Sequence, residues 1–180
     1  MKFSVSFVSL SLAVNAIASP FKRDAATVEA DIATITSQVS ALNDAITQFG
    51  TSKSLTDALA IHSDAGTLET AINQATSDTN ASDAFTEDEG ATILSAIQNL
   101  EPNIIAALQN LDSQHDNFAS QPIAGLDAVV ESDLNTLNTD TTAFENALLS
   151  KAPADIQSQA QASVADINSA FQAAIATYAS

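Results

Sequence analysis

The sequence contains no cysteine, which excludes both a disulfide framework and a thiolate metal site, so the fold is held by packing alone. Histidine is nearly absent too. Its two occurrences, His62 and His115, fall on different segments without metal-ligand spacing, and no metal or cofactor is expected. Five basic residues stand against 22 acidic ones, and three of the five (Lys2, Lys22, Arg23) precede the first acid, Asp24. From Asp24 on, two lysines, Lys53 and Lys151, oppose 22 acids, a net charge of −20. A field of that sign repels phosphate, which excludes nucleic acid as a partner and disfavours anionic lipid head groups. Glycine and proline are sparse, four of each, so little interrupts long regular elements.

The amino terminus reads as a targeting segment. Met1-Lys2 leads into an apolar stretch from Phe3 to Ile17 that ends in Ala16-Ile17-Ala18, the small-x-small pattern of a signal peptidase site. Cleavage is expected after Ala18, because a cut after Ser19 would leave Pro20 directly behind the broken bond. Lys22-Arg23 then offers a dibasic processing site, making residues 19–23 a short pro-segment and 24–180 the mature domain. The Phe3 to Ile17 stretch is shorter than the roughly 20 residues a spanning helix needs. No later run supplies a membrane span, and the carboxyl end lacks a glycolipid-anchor pattern. The expectation is a secreted, extracellular protein that is not transmembrane.

The periodicity is helical almost throughout. Val28, Ile32, Ile35, Val39, Leu42, Ile46 and Phe49 recur in steps of four and three, one stripe on a helix of about 25 residues and roughly 37 Å, which Gly50 is expected to end. A weaker second segment, with Leu55, Leu59, His62, Leu68 and Ile72 in the stripe, is expected to kink or break near Gly66. The third opens on Thr86-Glu87-Asp88-Glu89, a capping box, and continues through Ile93, Ile97, Leu100, Ile104, Leu108, Leu111 and Phe118. Pro102 should kink it unless packing absorbs the lost hydrogen bond. Pro122 and Pro153 are expected in the first turns of a fourth and a fifth segment. Their stripes are Ile123, Leu126, Val130, Leu134, Leu137, Thr141, Phe144 and Leu148, then Ile156, Ala160, Val164, Ile167, Phe171, Ile175 and Tyr178. Five amphipathic segments with short polar connections predict an all-α, single-domain antiparallel bundle.

Catalytic patterns are missing: no glycine-rich phosphate loop, no nucleophile elbow, no serine with a recognisable base and orienting acid. His115 sits beside Asp116 at a polar turn or helix edge, and His62 falls on an apolar side where a partly buried, non-catalytic histidine is the commoner case. Glu87-Asp88-Glu89 lacks the spacing of a calcium loop and suits a helix start, where the dipole favours anions. The chain does not read as an enzyme. Asn80-Ala81-Ser82 is a glycosylation acceptor in what reads as a solvent-facing loop.

Several stretches resemble one known family. The Lys22-Arg23 pair, Asp31-Ile32-Ala33-Thr34-Ile35, the run Thr139 to Leu148 (TDTTAFENAL), Ala152-Pro153, and Ile167-Asn168-Ser169-Ala170-Phe171 up to Tyr178 resemble, in that order, the fungal hydrophobic surface-binding protein A and cell-wall galactomannoprotein family. The resemblance implies a secreted helical bundle, often associated with the cell wall, that adsorbs to hydrophobic surfaces or holds a fatty-acid-like ligand in its core. Two mechanisms follow: the bundle opens and lays its stripes on an apolar surface, or it stays closed around a lipid in a groove lined by Ile97, Ile104, Leu108, Leu137, Phe144 and Phe171. The alternative is a structural or antigenic mannoprotein of the wall with no small ligand. Cell-wall polysaccharide is a further expected partner.

Overall fold

A computed structural model describes residues 24–179; Ala18, Lys22, Arg23 and the apolar amino-terminal stretch lie outside them. The described residues form six helices and no β-strand: α1 (Ala25–Ser52), α2 (Leu55–Ala81), α3 (Glu87–Ser113), the short α4 (His115–Ala119), α5 (Leu126–Lys151) and α6 (Gln157–Tyr178). All seven stripe residues of α1 are buried, as the steps of four and three require. Asp24 caps α1 by accepting from the Thr27 amide at 2.9 Å. At the head of α3 both halves of the capping box are made: the Thr86 amide donates to Glu89 at 2.8 Å, and the Glu89 amide to Thr86 Oγ1 at 3.4 Å.

Glycine and proline punctuate less than the sequence suggests. Gly50 does not end α1, which runs on to Ser52 and stops where Lys53 turns left-handed (φ 51°) and donates its amide to Phe49 at 2.7 Å. Gly66 does not break α2 either. It lies on the exposed face, and the helix passes through it because the stripe on the other face, Ile61, Ala65, Leu68 and Ile72, stays buried. α3 is likewise continuous across Pro102. That proline is exposed, as is Gln98, so the carbonyl that loses its donor lies on a face open to solvent. Pro122 and Pro153 sit in the turns before α5 and α6, which begin four residues later. Ile123 is accordingly exposed, outside the stripe expected for it. Phe118 is buried but belongs to α4, not α3.

The five long helices close into a ring. Going round it, α1 packs on α2, α2 on α5, α5 on α6, α6 on α3, and α3 back on α1. Each long helix reverses the one before it in sequence, but neighbours in space do not all alternate, which corrects a simple antiparallel picture. Asn110 of α3 bonds Asn43 and Thr47 of α1, while Gln114, just past α3, lies against Gly50, so these helices climb together. His62 meets Asp133, Asn73 meets Asp140, and Lys151 reaches the Asn80 carbonyl, so α2 and α5 also run parallel. Gly90 against Pro153 at one end, and Tyr178 bonded to Leu111 at the other, make α3 and α6 parallel as well.

This ring explains why the molecule has an axis with space in it. Cylinders spaced about 9 Å apart leave an axial gap of roughly 3 Å radius when five surround it, against roughly 2 Å for four. Large side chains fill part of that gap. One end is plugged by aromatics: Phe49 and Phe118 lie 4.3 Å apart between centroids, and Tyr178 meets Phe118 and His115 edge-on at 5.9 and 5.1 Å. The Tyr178 hydroxyl donates to the Leu111 carbonyl at 2.7 Å, a second donor beside the Gln114 amide at 2.9 Å, and ties the end of α6 to the end of α3.

Candidate functional site

The unfilled part of the axis is a cavity of about 100 Å³, walled by side chains from all five long helices. Ile35, Val39 and Leu42 come from α1, Leu68 and Ile72 from α2; α3, α5 and α6 supply most of the rest. Ile97, Ile104, Leu108, Leu137, Phe144 and Phe171 all stand on this wall. Half-buried wall residues collect on α3 (Ile97, Ile104), at the end of α5 (Leu148) and on the first half of α6 (Ala160, Val164). Gly90 closes the cavity near the α5–α6 connection, where a Cβ would lie 2.6 Å from Pro153 Cδ. Only glycine permits that approach.

Toward the aromatic plug lies a second cavity of about 290 Å³ between α1, α2, α3, α4 and α5. The two share Leu42, Ala107, Leu108 and Leu137 as a common partition. Its walls are apolar apart from His62 and Asp133, joined at 2.8 Å through Nδ1. His62 is not partly buried as its stripe position suggests: its side chain is 57% exposed, while Asp133 is the more enclosed partner. Burial pushes the Asp133 carboxyl up from the ordinary carboxylate range, and His62 partly offsets this.

Two polar side chains interrupt the axial cavity's apolar wall, Thr141 and Glu145, one helical turn apart on α5 and 8% and 7% exposed. The sequence did not single out Glu145, because a glutamate beside the α5 stripe reads as solvated. Its position is fixed from α6. The Asn168 amide donates to Glu145 Oε2 at 3.1 Å, and its Oδ1 lies 3.3 Å from the Thr142 hydroxyl, which also donates to the Asn138 carbonyl at 2.8 Å. Glu145 Oε1 is buried with no hydrogen-bond partner among the described residues. Burial raises the Glu145 pKa to about 7, against the smaller opposing effect of the Asn168 bond.

The other sequence candidates lie elsewhere. Asn80 is exposed but sits in the last turn of α2, not in a loop, and its sequon partner Ser82 is buried, donating to the Thr79 carbonyl at 2.7 Å. His115 begins α4 at the edge of the plug, 3.8 Å from the Asp116 carboxylate. Glu87, Asp88 and Glu89 form the acidic first turn of α3. Among the described residues no cluster of three His, Cys, Asp or Glu side chains is placed to hold a metal. None of the described helices is long and apolar enough to cross a membrane.

The hydrophobic surface binding protein A family profile matches residues 25–150. Afmp4p, solved in complex with palmitic acid, is 32% identical, with a TM-score of 0.81 over 86% of this chain and 99% of that one. Two ligand-binding domains of the Penicillium marneffei MP1 protein, both solved with arachidonic acids, share the fold at 14% and 19% identity. Their TM-scores are 0.78 and 0.79, over 86% and 88% of this chain and 98% of each of theirs. None of the curated proteins matches the chain.

Proposed function

The chain belongs to the hydrophobic surface binding protein A family, and from that premise we propose that it binds lipids with a single acyl-like chain along its axis and adsorbs to apolar surfaces through the same helix stripes. The observation that carries this reading is the axial cavity, whose wall is hydrocarbon from five helices except at Thr141 and Glu145. A dry apolar void is a standing cost to a fold, since its lining forfeits contacts. A ligand that fills it recovers them. The palmitic and arachidonic acids bound by its structural relatives support the same ligand class.

At about 100 Å³ the axial cavity is below the roughly 300–1,000 Å³ of typical ligand pockets. A long acyl chain is therefore accommodated by rotation of the partition leucines, Leu108 and Leu137, which joins it to the second cavity. Adsorption to an extended surface uses the other mechanism, in which stripes leave the core. Burying one large aliphatic side chain contributes about 1.5–3 kcal/mol, while a domain is stable by roughly 5–15 kcal/mol. A handful of stripe residues re-buried on the surface thus offset the lost core.

The same proposal has the chain exported, with the segment 1–18 removed after Ala18, processing at Lys22-Arg23, and residues 24–180 acting outside the cell, in association with the wall and its polysaccharide. It is supported by Asp24, the residue behind the dibasic pair, being the N-cap of α1. Asn80 is exposed as a glycan site requires. Binding is tested by titrating residues 24–180 with a fluorescent fatty acid. A saturable one-to-one signal with unchanged helicity supports the closed mode. Depletion onto an uncharged hydrophobic polymer tests the open one, and uptake no greater than that of an acidic soluble control would remove it.

A further inference from the structure

The axial cavity has one chemically distinctive spot, and it is the wrong sign for an ionised fatty acid. Among its wall residues Glu145 alone carries an ionisable group, and no basic side chain stands there to neutralise a ligand's charge. Among the described residues the only hydrogen-bond partner of its carboxyl is the neutral amide of Asn168, at Oε2. Oε1 is left buried and unpartnered, although an unmet buried polar atom costs on the order of 1–3 kcal/mol. Thr141 adds a hydroxyl to the same spot, one turn along α5 on the same wall. A group that brings one hydrogen-bonding proton and no negative charge completes this arrangement; a carboxylate or sulfonate placed there meets like charge in a low-dielectric enclosure whenever Glu145 is ionised.

Resting on the reading of the cavity as an acyl-chain site, we propose that Glu145 and Thr141 form a head-group subsite that selects lipids with an uncharged, hydrogen-bonding head, such as a long-chain alcohol or an un-ionised acid, over permanently anionic ones. Glu145 accepts the head's proton at Oε1 when ionised and donates to the head's oxygen when protonated, so either form pairs with a hydroxyl. Asn168 keeps the carboxyl turned through its amide bond to Oε2. The distinction is one of head-group charge. The acyl chain is recognised by the hydrocarbon wall and is indifferent to it.

The test uses residues 24–180 and displacement of a neutral fluorescent alkyl probe by two ligands with the same tail, 1-dodecanol and dodecanesulfonate, at about pH 8. Wild type is expected to prefer the alcohol by about tenfold or more, the discrimination expected of a buried like-charge contact. Glu145→Gln keeps the shape and removes the charge, so it is expected to gain about tenfold for the sulfonate and to change less than about threefold for the alcohol. Glu145→Met should show the same gain and guards against a folding defect in either variant. Asp44→Asn, on the exposed face of α1, controls for the protein's overall negative field. If sulfonate affinity is unmoved by both Glu145 substitutions, or rises equally in Asp44→Asn, the subsite is overturned while the acyl cavity stands. If the neutral probe does not bind wild type saturably, the cavity reading itself has failed.

Discussion

Replacing Glu145 by glutamine should make the ligand-free protein more stable at alkaline pH and leave it nearly unchanged at acid pH. In the folded chain the carboxyl titrates near 7; in the unfolded chain it reverts to about 4.5. Between those values the native state holds a proton that the unfolded state has lost. Stability contributed by the neutral group is therefore fully present below about pH 4.5, declines from there, and is gone once pH passes about 7. A difference of about 2.5 units corresponds to about 3 kcal/mol, a large share of the roughly 5–15 kcal/mol that holds a domain together. Glutamine has no proton to lose. Urea unfolding followed by circular dichroism, from about pH 4.5 to about pH 8.5, gives the stability of both proteins. The variant-minus-wild-type difference is expected to grow by about 3 kcal/mol over that span. The half-buried Asp112 and Asp133 carboxyls, also pushed up by desolvation, and the general charge repulsion act in both proteins and largely cancel. A difference that stays flat across the range refutes the burial of an uncompensated carboxyl at this position.

Three further outcomes are expected. Gly66→Ala should stabilise the protein by about 0.5–1 kcal/mol in the same assay, because the added methyl meets nothing within 4 Å and the residue lies inside α2. Tyr178→Phe should cost about 0.5–1.5 kcal/mol, the net worth of one hydrogen bond, since the Leu111 carbonyl keeps the Gln114 amide as a donor; an unchanged urea midpoint would mean that water replaces the hydroxyl. Ala160→Leu places a larger apolar side chain on the half-buried edge of the axial cavity. It should cut fatty-acid probe affinity by roughly tenfold without lowering the melting temperature, since filling a void is favourable to the fold.

The helical stripes were legible because their period is a local property: all seven positions of α1 point inward irrespective of what packs on them. The capping box at Thr86 and Glu89 was legible for the same reason. The punctuation was not. Gly66 lowers helix propensity by an amount smaller than the burial of Ile61, Leu68 and Ile72 on the opposite face, and the tertiary term wins. Pro122 and Pro153 suit a first turn, yet equally suit the turn before it. The ring order, and with it the parallel neighbours, depends on which stripe meets which, information that no single segment holds. Glu145 was missed because its neutral partner, Asn168, is 23 residues away on another helix; on α5 alone a glutamate beside Phe144 looks wet.

A closed circuit of five helices also fixes where the molecule would come undone. The two-residue link from α1 to α2 and the short one from α5 to α6 forbid separation there. Parting α1 from α3 would overstretch residues 82–86, and parting α3 from α6 would demand that α4 unravel. Only the boundary between α2 and α5 lengthens no connection when it gives way, and its hydrogen bonds, His62 with Asp133, Asn73 with Asp140 and Lys151 with the Asn80 and Ser82 carbonyls, are polar contacts that water can replace. Unrolled along that edge, the circuit becomes a strip, α2-α1-α3-α6-α5, with every greasy flank turned to one side. A spreading film would be laid down from that latch.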